Sequence, residues 1–269
     1  MMENPIGKKT SPKRVSKINE LLIKHYGIPK RQSPLPDPLD TLIATILSQN
    51  TNDNNSYKAF NNLKNAFPDW ESAAEAKRTT IEKLIRVAGL APAKSKAIKN
   101  LLVDIREKYG KLSLDFVNEL SNDETLAKLT SYDGVGVKTA SCVLLFSMNK
   151  NICPVDTHVH RTTNRIGIVN EKTPDKTFSA LNKNLPDGIA HSFHTNLILL
   201  GREICKPTNP SCGVCPLKKV CKFPEKNLEA KSAGGKKRIL LLDKIGYEKQ
   251  FELGFRNLDL RMKKKKQMH

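Results

Sequence analysis

The stretch LAKLTSYDGVGVKTA, residues 126–140, combines apolar residues at helical spacing with a tight Gly-Val-Gly turn. We expect one helix before the turn and a second helix that begins near Lys138. The two glycines let the backbone approach a ligand closely, and the amide groups at the start of the second helix point outward. The stretch therefore predicts a hairpin of two helices with a potential anion site at its turn.

Helical spacing recurs along the chain up to residue 224, with Gly, Pro or Asn at the breaks. Residues 40–48 (DTLIATILS) are almost wholly apolar, which suits a helix that is buried on all sides. No segment before residue 224 alternates as a half-buried strand would, so we predict an all-α protein. The expected helices are 15–26, 40–48, one that ends at 67, 79–87, 93–109, 114–118, 123–131, 138–148, 157–166, 175–184 and 189–203.

The chain of 269 residues has 46 Lys and Arg against 27 Asp and Glu, a formal net charge of +19. Such an excess is typical of proteins with a polyanionic partner, and nucleic acid is favoured over an anionic membrane. A lysine-rich composition alone would produce the same excess. The net charge therefore favours a nucleic-acid partner but does not by itself establish one.

No apolar run is long enough to span a bilayer, and the basic N-terminus lacks the apolar stretch of a secretory signal. We expect a soluble intracellular protein without a membrane partner. In a prokaryote it would be cytoplasmic and associated with the nucleoid, and a nuclear location stays open. Because such compartments are reducing, the six cysteines are not expected to form disulfides. Cys142 and Cys153 lie in apolar surroundings, which predicts ordinary core thiols.

The other four cysteines crowd into one short stretch, CKPTNPSCGVCPLKKVC, at Cys205, Cys212, Cys215 and Cys221. Thiolate ligands select zinc or iron–sulfur clusters over hard cations. Structural zinc usually takes two separated close pairs of ligands, whereas only Cys212 and Cys215 form a close pair here. The spacing favours a [4Fe–4S] cluster and leaves zinc as the alternative.

Lys138 and Asp156 are the candidate reactive residues. A lysine at the start of a helix is usually a solvated surface charge, but a cation is unwelcome at the positive end of a helix and should lose its proton more readily. A neutral amine can attack a sugar carbon and form a Schiff base. By itself, Asp156 in PVDTHVHR has the pattern of a helix N-cap.

Several of these motifs together resemble endonuclease III and its adenine-glycosylase relatives. The cysteine spacing and the preceding LGREIC are similar to that family's cluster loop, and residues 126–140 resemble a helix-hairpin-helix element with Tyr132-Asp133 where Leu-Pro is usual. The resemblance covers roughly residues 37–223. It implies a base-excision-repair DNA glycosylase and abasic-site lyase that holds a [4Fe–4S] cluster on the four cysteines. Lys138 would form the Schiff base, and Asp156 would be the essential carboxylate that assists departure of the base.

The same resemblance implies a monomer that acts on double-stranded DNA with damaged bases, by family default oxidised pyrimidines, or abasic sites. The hairpin would grip a phosphate, Leu90 would be an apolar wedge, and a loop residue would fill the gap left by a flipped base. The position that matches this filler is Asn50, with Gln49 beside it, and His158 would lie near the lesion. The implied DNA contacts are Gln49, Asn50, Leu90, Gly134, Val135, Gly136, Thr139, His158 and Lys206.

The resemblance further implies two helical lobes that flank a DNA-binding cleft. Residues 37–150 would form a helical barrel lobe that contains the hairpin. Residues 11–36 together with 151–223 would form the cluster lobe, and 224–269 would be a loosely ordered basic tail.

Three other functions compete with this interpretation. An adenine mispair glycosylase needs a glutamate in the helix before the polar loop, and residues 43–47 (IATIL) contain no acid. A monofunctional uracil or thymine mismatch glycosylase would not require Lys138. A non-catalytic DNA-binding module would require neither Lys138 nor Asp156. Separately, His191 and His194 are expected to be surface histidines, because no carboxylate lies at ligand spacing beside them.

Overall fold

The computed structural model describes residues 11–229 and 232, and every regular element in that part of the chain is helical. The all-α prediction is confirmed for these residues. The α-helices are α1 (Pro12–Tyr26), α2 (Pro38–Ser48), α3 (Asp53–Ala66), α4 (Trp70–Glu75), α5 (Arg78–Ile85), α6 (Ala91–Tyr109), α7 (Asn122–Thr130), α8 (Val137–Phe146), α9 (Thr157–Ile166), α10 (Pro174–Asn182) and α11 (Ala190–Glu203). Short 3-10 helices occupy Arg86–Ala88, Asp115–Glu119 and Cys212–Val214. The expected basic tail lies outside the described residues except for 224–229 and Ser232.

Most α-helices begin at a side chain that accepts a hydrogen bond from a backbone amide in the first turn. Asp37 caps α2 in this way, and Ser121 and Glu124 form a reciprocal capping box at α7. Such caps satisfy amides that have no partner inside the helix. Helix α8 differs, because it begins at Gly136 with no capping side chain.

The buried side chains form two principal cores. The first is built from α2 to α7 and includes Ala140 and Val143 of α8. In the second core, Val15 of α1 packs with Phe193 and Leu197 of α11 and with side chains of α9. The N-terminal helix therefore packs against elements that follow residue 150. The lobe boundaries at residues 37 and 150 stay a prediction.

Helix α8 and an ion pair connect the two cores. Cys142, Leu145 and Phe146 of α8 pack on Ala190 at the start of α11. Arg202 near the end of α11 donates two hydrogen bonds, of 2.6 and 3.2 Å, to the carboxylate of Asp53 in α3. Contacts of both kinds fix the second core relative to the first.

One helix was not anticipated from the sequence. Helix α4 begins at Asp69, which caps the amide of Ser72, and its Trp70 donates from Nε1 to Asp40 Oδ1 at 2.7 Å. Six residues are too few to display helical periodicity, so the cap was the available signal. Among the described helices, none combines the length and apolar character needed to cross a membrane.

Candidate functional site

The hairpin between α7 and α8 turns at Gly134. Its φ of +77° is a left-handed conformation that favours glycine. A Cβ atom there would lie 2.8 Å from the Cβ of Ala97 in α6, closer than such atoms approach each other. Gly134 is therefore required both by the turn and by the close packing of the hairpin on α6.

The first amides of α8 form a cluster of unbonded donors. The first amide hydrogen bond at this end runs from Ala140 to the Gly136 carbonyl at 3.0 Å, and no described group accepts from Val137, Lys138 or Thr139. Unsatisfied amides at a helix N-terminus attract anions. Val135 differs from these residues, because its amide donates to the Tyr132 carbonyl at 3.1 Å and its side chain is buried.

Tyr132 takes a packing role in the turn. Its side chain is buried in the first core, and the Lys128 ammonium lies 5.8 Å from the centre of its ring. Lys128 also lies over Tyr109, which stacks on Phe116 at 4.0 Å. Cations over aromatic faces are attracted by the ring quadrupole. Asp133 beside it is exposed to solvent.

Lys138 and Asp156 stand at the N-terminal ends of α8 and α9. Asp156 caps α9, since Oδ1 accepts from the Val159 amide at 2.8 Å, and no described group donates to Oδ2. Burial acts to raise the pKa of Asp156, but its interactions with His194, the Val159 amide, His158 and Lys138 lower it below its usual value. Asp156 therefore remains an ionised carboxylate within electrostatic reach of Lys138.

His194 lies behind this pair and is buried, with 2% of its surface exposed. Its Nδ1 lies 3.0 Å from the Pro154 carbonyl, which can only accept, so Nδ1 carries the hydrogen. Burial lowers the pKa of His194 to about 4, against the opposing effect of Asp156. The His194 imidazole near the Asp156 carboxylate is therefore neutral.

The expectation that His191 and His194 lie on the surface is wrong. Both rings pack edge-on against Phe146 of α8 at 5.7 Å, because α11 is covered by α1, α8 and α9. Cys142 and Cys153 are buried nearby, as core thiols were expected to be.

His158 is held by Arg161, a residue that sequence reasoning missed. Arg161 Nη2 lies 3.1 Å from His158 Nδ1 and 2.9 Å from the Gly201 carbonyl, and its Nε donates to the Cys205 carbonyl at 3.0 Å. Because a guanidinium only donates, His158 Nδ1 accepts and Nε2 carries the hydrogen. The available signal was the three-residue spacing of the two side chains on one helix face.

Gly201 permits this arrangement. A Cβ atom at Gly201 would lie 2.9 Å from the His158 Cβ and 3.2 Å from Arg161 Nη2. Helix α11 can therefore approach α9 closely only with glycine at this position.

In the polar loop after α2, Gln49 contacts the hairpin whereas Asn50 is exposed to solvent. The Gln49 side chain donates to the Gly134 carbonyl at 3.0 Å and to Thr139 Oγ1 at 3.3 Å, so it ties the loop to the hairpin. Asn50 is exposed in a left-handed conformation with φ +51°. Leu90, at the start of α6, is also left-handed, with φ +49°, and 56% exposed. Asn50 and Leu90 are therefore the two exposed loop tips.

The four clustered cysteines line one cavity together with Leu200, Ile204, Leu217 and Phe223. None of them forms a disulfide, and no group of three or more His, Cys, Asp or Glu in the described residues is placed to hold a metal ion. Burial raises the pKa of Cys215 to about 12, which disfavours a thiolate without a bound cation. The cavity, which Arg165, Lys218 and Lys226 also line, brings together four sulfur donors, and this is the donor set that an iron–sulfur cluster takes.

Hydrogen bonds from the Arg165 side chain to backbone carbonyls order the start of the cysteine loop. Its guanidinium donates to the carbonyls of Lys206 at 2.6 Å and Pro207 at 2.8 Å, and lies over the Phe223 ring at 4.4 Å. Lys206 itself is half-buried beside Cys205. The loop is thus anchored to α9 independently of any metal.

Replacing Gly134 by alanine should destabilise the protein by about 1–3 kcal/mol, because a β-carbon must be accommodated against Ala97 at positive φ. Gly136→Ala is the matched control, since its added Cβ meets nothing within 4 Å. Urea unfolding of the two variants measures the difference. Equal stabilities would contradict the tight packing of the hairpin on α6.

Comparison with known proteins identifies the family. Residues 43–187 match the model of the HhH-GPD superfamily base excision DNA repair proteins. The chain is 38% identical over 187 residues to an endonuclease III of Thermotoga maritima, covering 70% of this chain and 84% of that protein. It is 41% identical over 169 residues to a candidate DNA glycosylase of Arabidopsis thaliana, covering 62% of this chain but only 57% of the plant protein.

A solved structure agrees with these relatives. The fold matches a non-covalent endonuclease III–DNA complex with a TM-score of 0.67 and 25% sequence identity, over 79% of this chain and 95% of that one. Because the family model matches residues 43–187 and the helical fold matches that of an endonuclease III, the chain belongs to the HhH-GPD superfamily of base excision DNA repair proteins.

Proposed function

We propose that this chain is a bifunctional DNA glycosylase that excises damaged bases from double-stranded DNA and then cleaves the abasic site as a lyase. The observation that carries the proposal is the placement of Lys138, beside the unbonded amides of α8, within electrostatic reach of an ionised Asp156 at the start of α9. Membership of a base excision repair family supports the glycosylase part. The lysine supports the lyase part, because a Schiff base requires an amine.

In the proposed reaction, the Lys138 amine attacks C1′ of the damaged nucleotide. The bond from C1′ to the base breaks, and its electron pair leaves with the base. The Asp156 carboxylate stabilises the positive charge that develops on the sugar and can accept a proton afterwards. The adduct opens to a Schiff base, and loss of a C2′ proton with departure of the 3′ phosphate cuts the strand.

The protein would bind DNA through its phosphates, without recognising the base sequence. The amides of Val137, Lys138 and Thr139 suit a backbone phosphate, and the charge of +19 would add affinity through counterion release. Asn50 and Leu90 are exposed at the tips that would enter the duplex when a base is extruded. The His158 Nε2–H would face the flipped base, and oxidised pyrimidines are the proposed substrates.

A [4Fe–4S] cluster is the proposed group on Cys205, Cys212, Cys215 and Cys221. When bound, it would supply a rigid link between the ends of the loop through four iron–thiolate bonds. The cavity that these thiols share with apolar side chains supports the proposal. No step of the reaction on DNA passes through it.

Lys138→Gln should abolish both borohydride trapping on abasic-site DNA and strand cleavage, because the amide cannot form a Schiff base. DNA affinity should fall by less than about tenfold, since one charge contributes little to a multi-phosphate interaction. Asp156→Asn should slow base release by at least about 100-fold. Single-turnover assays measure both rates, and Lys17→Gln, which removes an exposed charge in α1, is the control. If the Lys138→Gln variant is still trapped at the wild-type level, another amine forms the Schiff base and the assignment of Lys138 is overturned. If the wild-type protein releases the base but is not trapped, it is a monofunctional glycosylase.

Gly136→Asp should affect stability and DNA binding in opposite directions. The new carboxylate would cap the unbonded amides of α8, which preserves or slightly raises stability, but it would repel a phosphate and lower affinity by at least about tenfold. Gly136→Ala controls for the added side chain. Titration of fluorescent abasic-site duplex measures affinity, and unchanged binding by Gly136→Asp would mean that the turn serves packing alone.

Protein purified anaerobically from iron-replete cells should be brown and hold about four iron atoms and four labile sulfides per chain. Cys212→Ser should lose most of the iron, while Cys153→Ala should retain it, because Cys153 lies in the second core and not in the cluster cavity. Metal and sulfide analysis provides the measurement. Stoichiometric zinc without iron would overturn the cluster assignment.

A further inference from the structure

Lys94 is a buried cation that the proposed chemistry does not use. It lies in the first turns of α6 with 3% of its surface exposed. Its Nζ donates to the Leu47 carbonyl at 2.8 Å and to the Ala88 carbonyl at 2.9 Å. Within the described residues, no carboxylate forms an ion pair with it. A buried ammonium is costly unless it is hydrogen-bonded, so these two carbonyls are what hold it in place.

Both acceptors lie at the C-terminal ends of helical segments. Leu47 belongs to the last turn of α2, and Ala88 ends the 3-10 helix Arg86–Ala88. Carbonyls at helix ends lack partners inside the helix and carry partial negative charge. One ammonium thus satisfies two helix ends at once and fixes the distance between them.

Each of these two residues is followed within three positions by an exposed loop tip. Asn50 follows Leu47 by three residues, and Leu90 follows Ala88 by two. Both tips are non-glycine residues in the left-handed region. That conformation costs roughly 1–2 kcal/mol and persists only where the surroundings enforce it. Lys94 is the side chain that ties both loops to α6.

We infer that Lys94 is a positioning residue for base extrusion, which holds Asn50 and Leu90 at a fixed separation so that both enter the duplex where a base leaves it. The inference rests on the proposed function. Lys94 itself cannot reach DNA, because it is buried beneath the two loops. Its effect is therefore confined to steps in which a base must be unstacked and replaced, which costs a few kcal/mol.

Lys94→Met tests this role, since it keeps the length of the side chain and removes its donors. Excision of a damaged base from a fully paired duplex should slow by about 100-fold, the effect of a small misplacement. Cleavage of a preformed abasic site should change much less, because no base has to be extruded. The fluorescence increase of 2-aminopurine at the target position should shrink in parallel. Lys96→Met, which removes an exposed charge from the same helix, is the control and should affect both rates alike.

A double-mutant cycle separates positioning from general destabilisation. If Lys94 acts through the loop tips, Lys94→Met should cost far less in a Leu90→Ala background than in the wild type. Additive effects, or equal slowing of excision and abasic-site cleavage, would overturn the inference. Should Lys94→Met fail to fold, Lys94→Arg, with a different reach, allows the same comparison of the two rates.

The outcomes also distinguish this inference from the function on which it rests. A wild-type protein that neither excises bases nor cleaves abasic sites would refute the proposed function. A wild-type protein that does both, with Lys94→Met indistinguishable from it, would refute only the role of Lys94.

Discussion

The candidate site depends on the burial of α8. Every side chain from Thr139 to Phe146 is buried, and the helix contacts α2, α7 and α11. Each large apolar side chain removed from water stabilises this arrangement by about 1.5–3 kcal/mol, so the helix cannot slide or rotate without a large loss. Its N-terminus is therefore fixed in space, although Lys138 there is polar. The positions of Lys138 and the unbonded amides are therefore fixed by the packing of the apolar residues that follow them in α8.

The N-termini of α8 and α9 have opposite electrostatic effects on the two candidate reactive residues, Lys138 and Asp156. The positive end of α9 stabilises a negative charge on Asp156, which also accepts the Val159 amide. The positive end of α8 is an unfavourable place for an additional cation, yet Lys138 stands there. The neutral ring of His194 behind the pair adds no compensating negative charge. The arrangement therefore favours an ionised carboxylate at Asp156.

Local signals in the sequence were sufficient for every described α-helix except the short α4, and for the hairpin turn and the cap at Asp156, because each depends on neighbours within a few residues. They were insufficient wherever a partner comes from a distant segment. His194 looked like a surface residue because its cover, Phe146 and Pro154, lies about forty residues away. The resemblance matched the gap filler to Asn50 with Gln49 beside it, and the contact of Gln49 with Gly134, about 85 residues away, was not visible in the sequence. Arg161 was missed because its acceptors lie on α11 and the cysteine loop.

Helix α6 provides a common reference for the elements proposed to contact DNA. Lys94 binds the carbonyls that precede the two loop tips, and Ala97 lies beneath Gly134 in the hairpin turn. These two residues are three positions apart, which is about 4.5 Å along a helix axis. The offset between the hairpin turn and the loop tips is thus set by less than one turn of a single helix. Because side chains of α6 are buried in the first core, the two loop tips and the hairpin turn keep fixed positions relative to one another.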